Sequence, residues 1–378
     1  MSKFFKGAVL AIIAVLAVSP AVAQETTGGL VGSVANDVGT PIAGARINAQ
    51  GPMGPVATTT DETGMYRFPR LAPGGYTVTA SFEGFTPVNA DVNIQLGESP
   101  TVNFTLTSAT FTEEIQVYSD TVAIDFTESQ TATSIREWEI DYLPRGRDFT
   151  DVVSFAAGTV DNPQAGGISV DGASGLENRY IIDGIDTTDP EIGDSAVPMR
   201  AEMMEEVQLK SAGYAAEHGG ALGGVVNAVT RSGTNEFHGA IFADYENNDW
   251  NGSARKELEY SGPDGPGYYT FDKDDETRLD PGFVLGGPIL RDKWWFFASY
   301  QPGIRTTKRT IDWENSPTDT YTQDFTVDYI SANTTVNLSS NLLLKAGINF
   351  SPYTTEGLLP NRNGLSGLAD QDNYAPLG

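Results

Sequence analysis

The stretch Glu236-Phe237-His238-Gly239-Ala240-Ile241-Phe242-Ala243-Asp244-Tyr245-Glu246 decides the fold. In an extended chain, side chains alternate between two faces. Phe237, Gly239, Ile241, Ala243 and Tyr245 therefore share one face, and Glu236, His238, Asp244 and Glu246 the other. Apolar outside and polar inside is the pattern lipid imposes on a barrel wall. It returns downstream: a long polar stretch over 247–280, an apolar segment at 282–290, a tight turn at Arg291-Asp292-Lys293, then 294–301, whose aromatics suit an interfacial girdle. After another polar loop come 324–338, a short turn at Ser339-Ser340-Asn341, and Leu342, Leu344, Ala346, Ile348 and Phe350 on one face. Long and short connections alternate, so the first strand is predicted to run outward and the short turns to be periplasmic. A soluble sandwich with uneven loops is the competing reading. About five strands are readable and membrane barrels need at least about 8, so the chain is expected to be the front of a longer protein.

Residues 1–23 read as an export signal. Lys3 and Lys6 precede an apolar run over 8–18, and Ala21-Val22-Ala23 supplies the small residues of a cleavage site, with Gln24 starting the mature chain. The run is shorter than the roughly 20 residues of a spanning helix. With 50 acidic against 23 basic residues and a net charge of −27, the chain repels phosphates, which excludes nucleic acid as a partner. Cys 0 rules out a disulfide framework. His218 and His238 stand twenty residues apart with no cysteine, so no metal site, cofactor or catalytic residue is expected, and the chain reads as no enzyme.

Between 24 and 108 short strands alternate with turns. Tyr76, Val78, Ala80 and Phe82 fall on one face, as do Val102, Phe104 and Leu106, and Asp61-Glu62-Thr63-Gly64 and Pro73-Gly74-Gly75 punctuate them. This pattern predicts a small β-sandwich. Gly39-Thr40-Pro41-Ile42-Ala43-Gly44-Ala45, Asp61 to Phe68 and Leu71 to Tyr76 make it resemble the carboxypeptidase regulatory-like domain, a non-catalytic, carbohydrate-binding-like sandwich. The resemblance leaves open a spacer or a sugar-binding role.

Over 109–233 helix and strand signals mix. Ser134-Ile135-Arg136-Glu137 is read as opening a helix that ends at Leu143-Pro144, and Asp148 as capping a second that lasts until Gly158. Ile168-Ser169-Val170-Asp171-Gly172, Asn178 to Gly184, Glu205 to Lys210 and Gly213 to Asn227 follow in an order similar to the plug of TonB-dependent receptors. With the extra sandwich, the chain resembles their Oar-like branch. Glu113, Glu114, Ile115, Gln116 and Val117 resemble the TonB box, an exposed strand able to add to a partner's sheet; the first strand of the plug is the alternative reading.

The expected architecture is therefore mainly β: an N-terminal β-sandwich, an α+β plug, and from 234 to 378 the first strands of an incomplete transmembrane β-barrel. The resemblance implies an outer-membrane receptor, with sandwich and plug N-terminus on the periplasmic side. It would bind an external solute and import it by plug movement driven by the TonB energy-transducing complex. An adhesin, a secretion partner or a signalling receptor is the alternative. Asp183, Asp186, Trp250, Tyr268 and Tyr269 are the candidate ligand-binding residues, the aromatics suiting sugar stacking and so a glycan or peptide over a chelate, while the pair Asp183 and Asp186 in its Gly-rich loop also reads as turn-forming. The run Asp272-Lys273-Asp274-Asp275-Glu276 reads as a solvated loop or a calcium holder.

Overall fold

A computed structural model describes residues 26–108, 131–143, 146–161, 167–191, 193–214, 219–252, 256–259, 266–270, 272–311, 318–339 and 342–360. The export signal and the TonB-box-like residues 113–117 lie outside them.

The N-terminal unit is a two-layer sandwich. β1 (Gly28–Asn36) lies between β4 (Met65–Leu71), antiparallel, and β7 (Phe104–Leu106), parallel. The facing sheet has the order β3 (Gly54–Thr59), β2 (Arg46–Gly51), β5 (Gly74–Ser81), β6 (Val88–Ile94). Tyr76, Val78 and Ala80 point into a core shared with Leu30, Val34, Phe68, Phe104 and Leu106. Phe82 departs from the expected alternation: β5 ends at Ser81, and the ring lies 5.9 Å from Phe85, tilted to it, at the rim. At the β3–β4 turn the Asp61 carboxylate accepts from Thr63 and Met65, and Gly64 takes a φ of +75° that a larger residue would resist.

The middle unit is built on five strands. β8 (Thr131–Arg136) pairs with β13 (Met204–Ala212), β13 with β14 (Val225–Thr230), β14 in parallel with β11 (Arg179–Ile182), and β11 with β12 (Ile185–Asp186). A hairpin of β9 (Thr159–Asp161) and β10 (Ile168–Val170) lies apart, and helices α1 (Glu137–Ile140) and α2 (Phe149–Val153) cover the sheet. The helix predicted to open at Ser134 starts three residues later. Ser134 and Ile135 stay extended because they pair with Gln208 and Val207, and sheet pairing outweighs a local capping preference. α2 starts after Asp148 as predicted, with the Asp151 carboxylate accepting from the Asp148 N–H at 3.0 Å. It ends at Val153, short of Gly158.

The third unit is a curved antiparallel wall. β15 (His238–Asn247) pairs with β18 (Asp275–Leu290), then β19 (Trp294–Ile311), β20 (Asp319–Ser339) and β21 (Leu342–Phe350), and β22 (Tyr353–Glu356) joins β20. A small hairpin of β16 (Glu257–Glu259) and β17 (Gly267–Tyr269) occupies the first long connection. Among the described residues the wall does not close on itself. Strands β18, β19 and β20 have 16, 18 and 21 residues, longer than the sequence pattern suggested, because Asp275 to Asp280 and Asp319 to Gln323 pair in register instead of looping.

Outward positions of β19 are Trp294, Phe296, Ala298, Tyr300, Pro302 and Ile304, while Trp295, Phe297, Ser299 and Gln301 are buried inward. Only alternate aromatics of 294–301 therefore stand where a girdle would be. Trp295 points in, and its indole N–H donates to Asn235 Oδ1 at 2.8 Å. Ile241, Phe283, Ile330, Leu344 and Ile348 continue the exposed apolar band. No helix among the described residues is long and apolar enough to cross a membrane.

Phe283→Arg, in the band, is expected to lower stability in lipid vesicles by about 2–4 kcal/mol. Thr310→Arg, on the same face of the wall but beyond the band, should leave it essentially unchanged. Urea unfolding of the two variants in vesicles measures the difference, and equal effects would remove lipid from the explanation.

Candidate functional site

The middle unit meets the wall through charged and polar side chains. Phe149 N–H donates to Met199 O at 3.0 Å and Ala201 N–H to Arg147 O at 3.1 Å, so the start of α2 and residues 199–201 run side by side. That pairing brings Arg147, Asp148 and Arg200 to one face. Arg200 is fully buried, with Nη1 2.9 Å from Asp148 Oδ1, Nη2 3.2 Å from Asp280 Oδ2, and its guanidinium 4.0 Å from the Tyr329 ring centre. Arg147 Nη1 also bonds Asp280, and Arg278 Nε lies 3.1 Å from it. Three guanidiniums thus share one buried carboxylate, with Asp148 and, at 3.7 Å from Arg147, Glu246 completing the balance. Val327 and Tyr329 of β20 join the middle unit's apolar core beside this cluster. Gly303 faces it, and a Cβ there would lie 2.9 Å from Arg200 Nη2.

A second contact lies toward the tight turns of the wall. Asp183 and Gly184 have φ of +49° and +79°, the paired left-handed conformation of a two-residue hairpin turn. The turn aims the Asp183 carboxylate at Thr230, whose N–H donates at 3.0 Å, and at Lys345 Nζ on β21, 2.6 Å away. Asn333 Nδ2 donates to Arg231 O at 2.6 Å. Arg231 Nη1 in turn lies 2.8 Å from Glu137 Oε1. Beside this pair Glu205 is pushed up to about 7, chiefly by burial and then by the Glu137 charge, with Arg231 and Lys345 offsetting part of it.

The candidate ligand residues are not gathered into one site. Asp183 is held by Thr230 and Lys345 near the tight-turn end. Asp186 sits 3.0 Å from Arg179; burial raises its carboxyl, but the Thr188 hydroxyl and N–H and Arg179 outweigh this and hold it below the ordinary carboxylate range. Trp250 and Tyr268 lie at the opposite, long-loop end, both exposed, with the Trp250 ring edge-on to Tyr245 at 5.5 Å. Tyr269 stands opposite Glu257 in the β16–β17 hairpin. In the acidic run, Asp274 is committed to Arg309 at 2.9 Å and Asp275 lies 3.9 Å from Lys308. Among the described residues no group of His, Asp or Glu is placed to hold a metal ion.

Sequence reasoning missed Arg147, Arg200, Asp280, Tyr329, Asn333 and Lys345. A signal was present for two of them: Asp280 and Lys345 are charges at inward positions of strands whose outward residues are apolar.

Asp280→Ala is expected to destabilise the protein by about 3–5 kcal/mol, because it leaves Arg200 buried with only Asp148 and a ring face; Lys308→Ala, at an exposed pair, should have no measurable effect. Urea unfolding compares them. Glu205 carries a pH dependence of definite sign. A carboxyl raised from 4.5 to about 7 on folding contributes stability that is complete below 4.5 and lost as pH rises through 7. Glu205→Gln should therefore unfold with its parent at pH 4 and at higher denaturant than its parent at pH 8.

Comparison with known proteins agrees with this layout. Residues 29–107 match the carboxypeptidase regulatory-like domain and 229–370 an outer membrane beta barrel domain. The TonB-dependent transporter Oar of Myxococcus xanthus is 32% identical over 305 residues, which is 77% of this chain and 28% of the relative, so the chain spans under a third of that protein's length. Among solved structures, the outer membrane transporter YddB from Escherichia coli aligns over 61% of this chain and 34% of its own, with a TM-score of 0.49 at 18% identity. The siderophore receptor PirA from Acinetobacter baumannii aligns over 60% and 32%, at 0.40 and 19%. Those two likenesses are too loose to carry an argument. The sequence kinship and the two matched domains together establish that this chain belongs to the Oar-like TonB-dependent receptors of the outer membrane.

Proposed function

We propose that the protein takes up an external solute across the outer membrane by displacement of the plug, driven through residues 113–117 by the TonB complex of the inner membrane. The plug is the middle unit, 109–233; the wall, 234–378, has its long connections outside and its tight turns and the sandwich, 24–108, on the periplasmic side. The observation that carries this reading is the make-up of the plug–wall contact. The bonds across it are ionic and hydrogen-bonded: Arg147 and Arg200 to Asp280, Lys345 to Asp183, Asn333 to Arg231. Polar groups parted there can be taken over by entering water, whereas a fully apolar contact would resist opening in proportion to its area. No bond in the solute is made or broken.

The exposed aromatics Trp250 and Tyr268 stand where a solute arriving from outside would meet them, and they favour a ligand with a stacking face, a glycan or a peptide, over a chelate. The same aromatics and the sandwich also support the second reading, a surface adhesin, secretion partner or signalling receptor.

Deletion of residues 113–117 from the full-length receptor separates the two. With a panel of labelled glycans, peptides and iron chelates, accumulation of the transported solute should fall to the level of receptor-free cells while surface binding is unchanged. Binding without receptor-dependent accumulation, before or after the deletion, would favour the adhesin.

A further inference from the structure

The sandwich is not merely strung on the chain ahead of the plug. Two separated contacts fix it. At the tip of the β2–β3 hairpin, Pro52 O accepts from Asn235 N–H at 3.1 Å. Asn235 is itself locked to the first tight turn of the wall, with Nδ2 2.7 Å from Asp292 Oδ1 and Oδ1 accepting from Asp292 N–H at 2.9 Å and from Trp295. Gly54 makes this approach possible: its φ is +101°, and a Cβ there would collide with Asp292 Oδ1 and lie 2.7 Å from Asn235 Nδ2.

The second contact is on the plug. Leu96, between β6 and β7, is fully buried yet belongs to neither apolar core. Its N–H donates to the Glu206 carboxylate at 3.2 Å, and its carbonyl accepts from Gln208 Nε2 at 2.9 Å. Glu206 and Gln208 are two residues apart on β13, so they project on one face and grip both main-chain groups of a single residue. Each is 1% exposed. Buried polar groups of this kind are costly unless paired, so they are matched to the docked sandwich and not to solvent. Between the two contacts a cleft of about 1090 Å³ is walled by all three units: Gly28 and Pro69 of the sandwich, Glu205 and Thr230 of the plug, Thr335 and Lys345 of the wall.

We propose that the sandwich is a docked cover over the tight-turn face of the plug, held by the Pro52–Asn235 and Leu96–Glu206/Gln208 latches, and that it must leave before the plug can move. The second half rests on the transport reading; the first does not.

This chain has Cys 0, so a single reporter thiol can be introduced into the receptor once any cysteine outside these residues is replaced by serine. In the full-length receptor solubilised in detergent, where both faces are open to reagent, Glu205→Cys should react slowly with a 5-kDa maleimide-polyethylene glycol. It should react at least tenfold faster when combined with Gly54→Ala or with Glu206→Ala/Gln208→Ala. Met65→Cys, on the exposed sandwich surface, should react quickly in every background, and heat-modifiable migration on gels reports an intact barrel. Unchanged reactivity of the Glu205→Cys thiol in both latch variants would overturn the cover. For the gating half, Pro52→Cys/Asn235→Cys is oxidised with copper phenanthroline to tie the sandwich to the wall. Uptake of the receptor's solute should stop and return with dithiothreitol; uptake that continues in the tied form would overturn the gating role. Absence of receptor-dependent uptake in the reduced form would defeat the transport reading, and the labelling result would still decide the cover.

Discussion

Three guanidiniums share the Asp280 carboxylate, and the relation between plug and wall depends on that convergence. Neither side could bury its part alone. Arg200 in the plug and Asp280 in the wall are each removed from solvent, and an unpaired charge in either place would cost several kcal/mol. The wall needs a plug to complete its inner face, and the plug needs the wall to neutralise an arginine. Tyr329 adds a ring face to the guanidinium, so attraction at this point does not depend on a single ion pair.

The remainder of the inner wall follows the same logic at lower charge. Ser299, Gln301, Ser331, Asn333 and Thr335 are buried on inward positions of β19 and β20, where a water-filled barrel would leave them wet. Trp295 and Phe297 are inward as well, because the chain at 231–235 crosses that part of the wall and ties Asn235 to the Trp295 indole. One face of each strand is apolar and exposed, and the middle unit sets the other.

That division also explains what could be read from sequence. The lipid face is imposed by a uniform solvent, so Phe237, Ile241 and Tyr245 reveal it by period alone. The sandwich core is legible for a related reason, since Tyr76, Val78 and Ala80 all answer to one apolar interior. The inner face has no uniform rule, because each position there answers to a particular partner more than a hundred residues away or nearly so: Lys345 to Asp183, Asn333 to Arg231, Arg200 to Asp280. The turn at Asp183-Gly184 is legible from local sequence, but the lysine on a distant strand that pairs with Asp183 leaves no local trace. Ser134 misled for the same reason, its capping chemistry being overridden by pairing with Gln208.

The long strands have one more consequence. On β19 the apolar outward series ends at Ile304 and gives way to Thr306, Lys308 and Thr310; on β20 it lies toward Leu338, with Asp328, Thr326 and Asp324 beyond it. At about 3.4 Å per residue and a tilt near 45°, the paired strands continue roughly 15–20 Å past the apolar band. Bonds such as Thr306 to Asp324 at 2.6 Å and Thr310 to Thr320 at 3.0 Å brace that extension from the outside. The long connections therefore start from hydrogen-bonded sheet well beyond the apolar band, and sheet, rather than loop, makes up the first part of their reach.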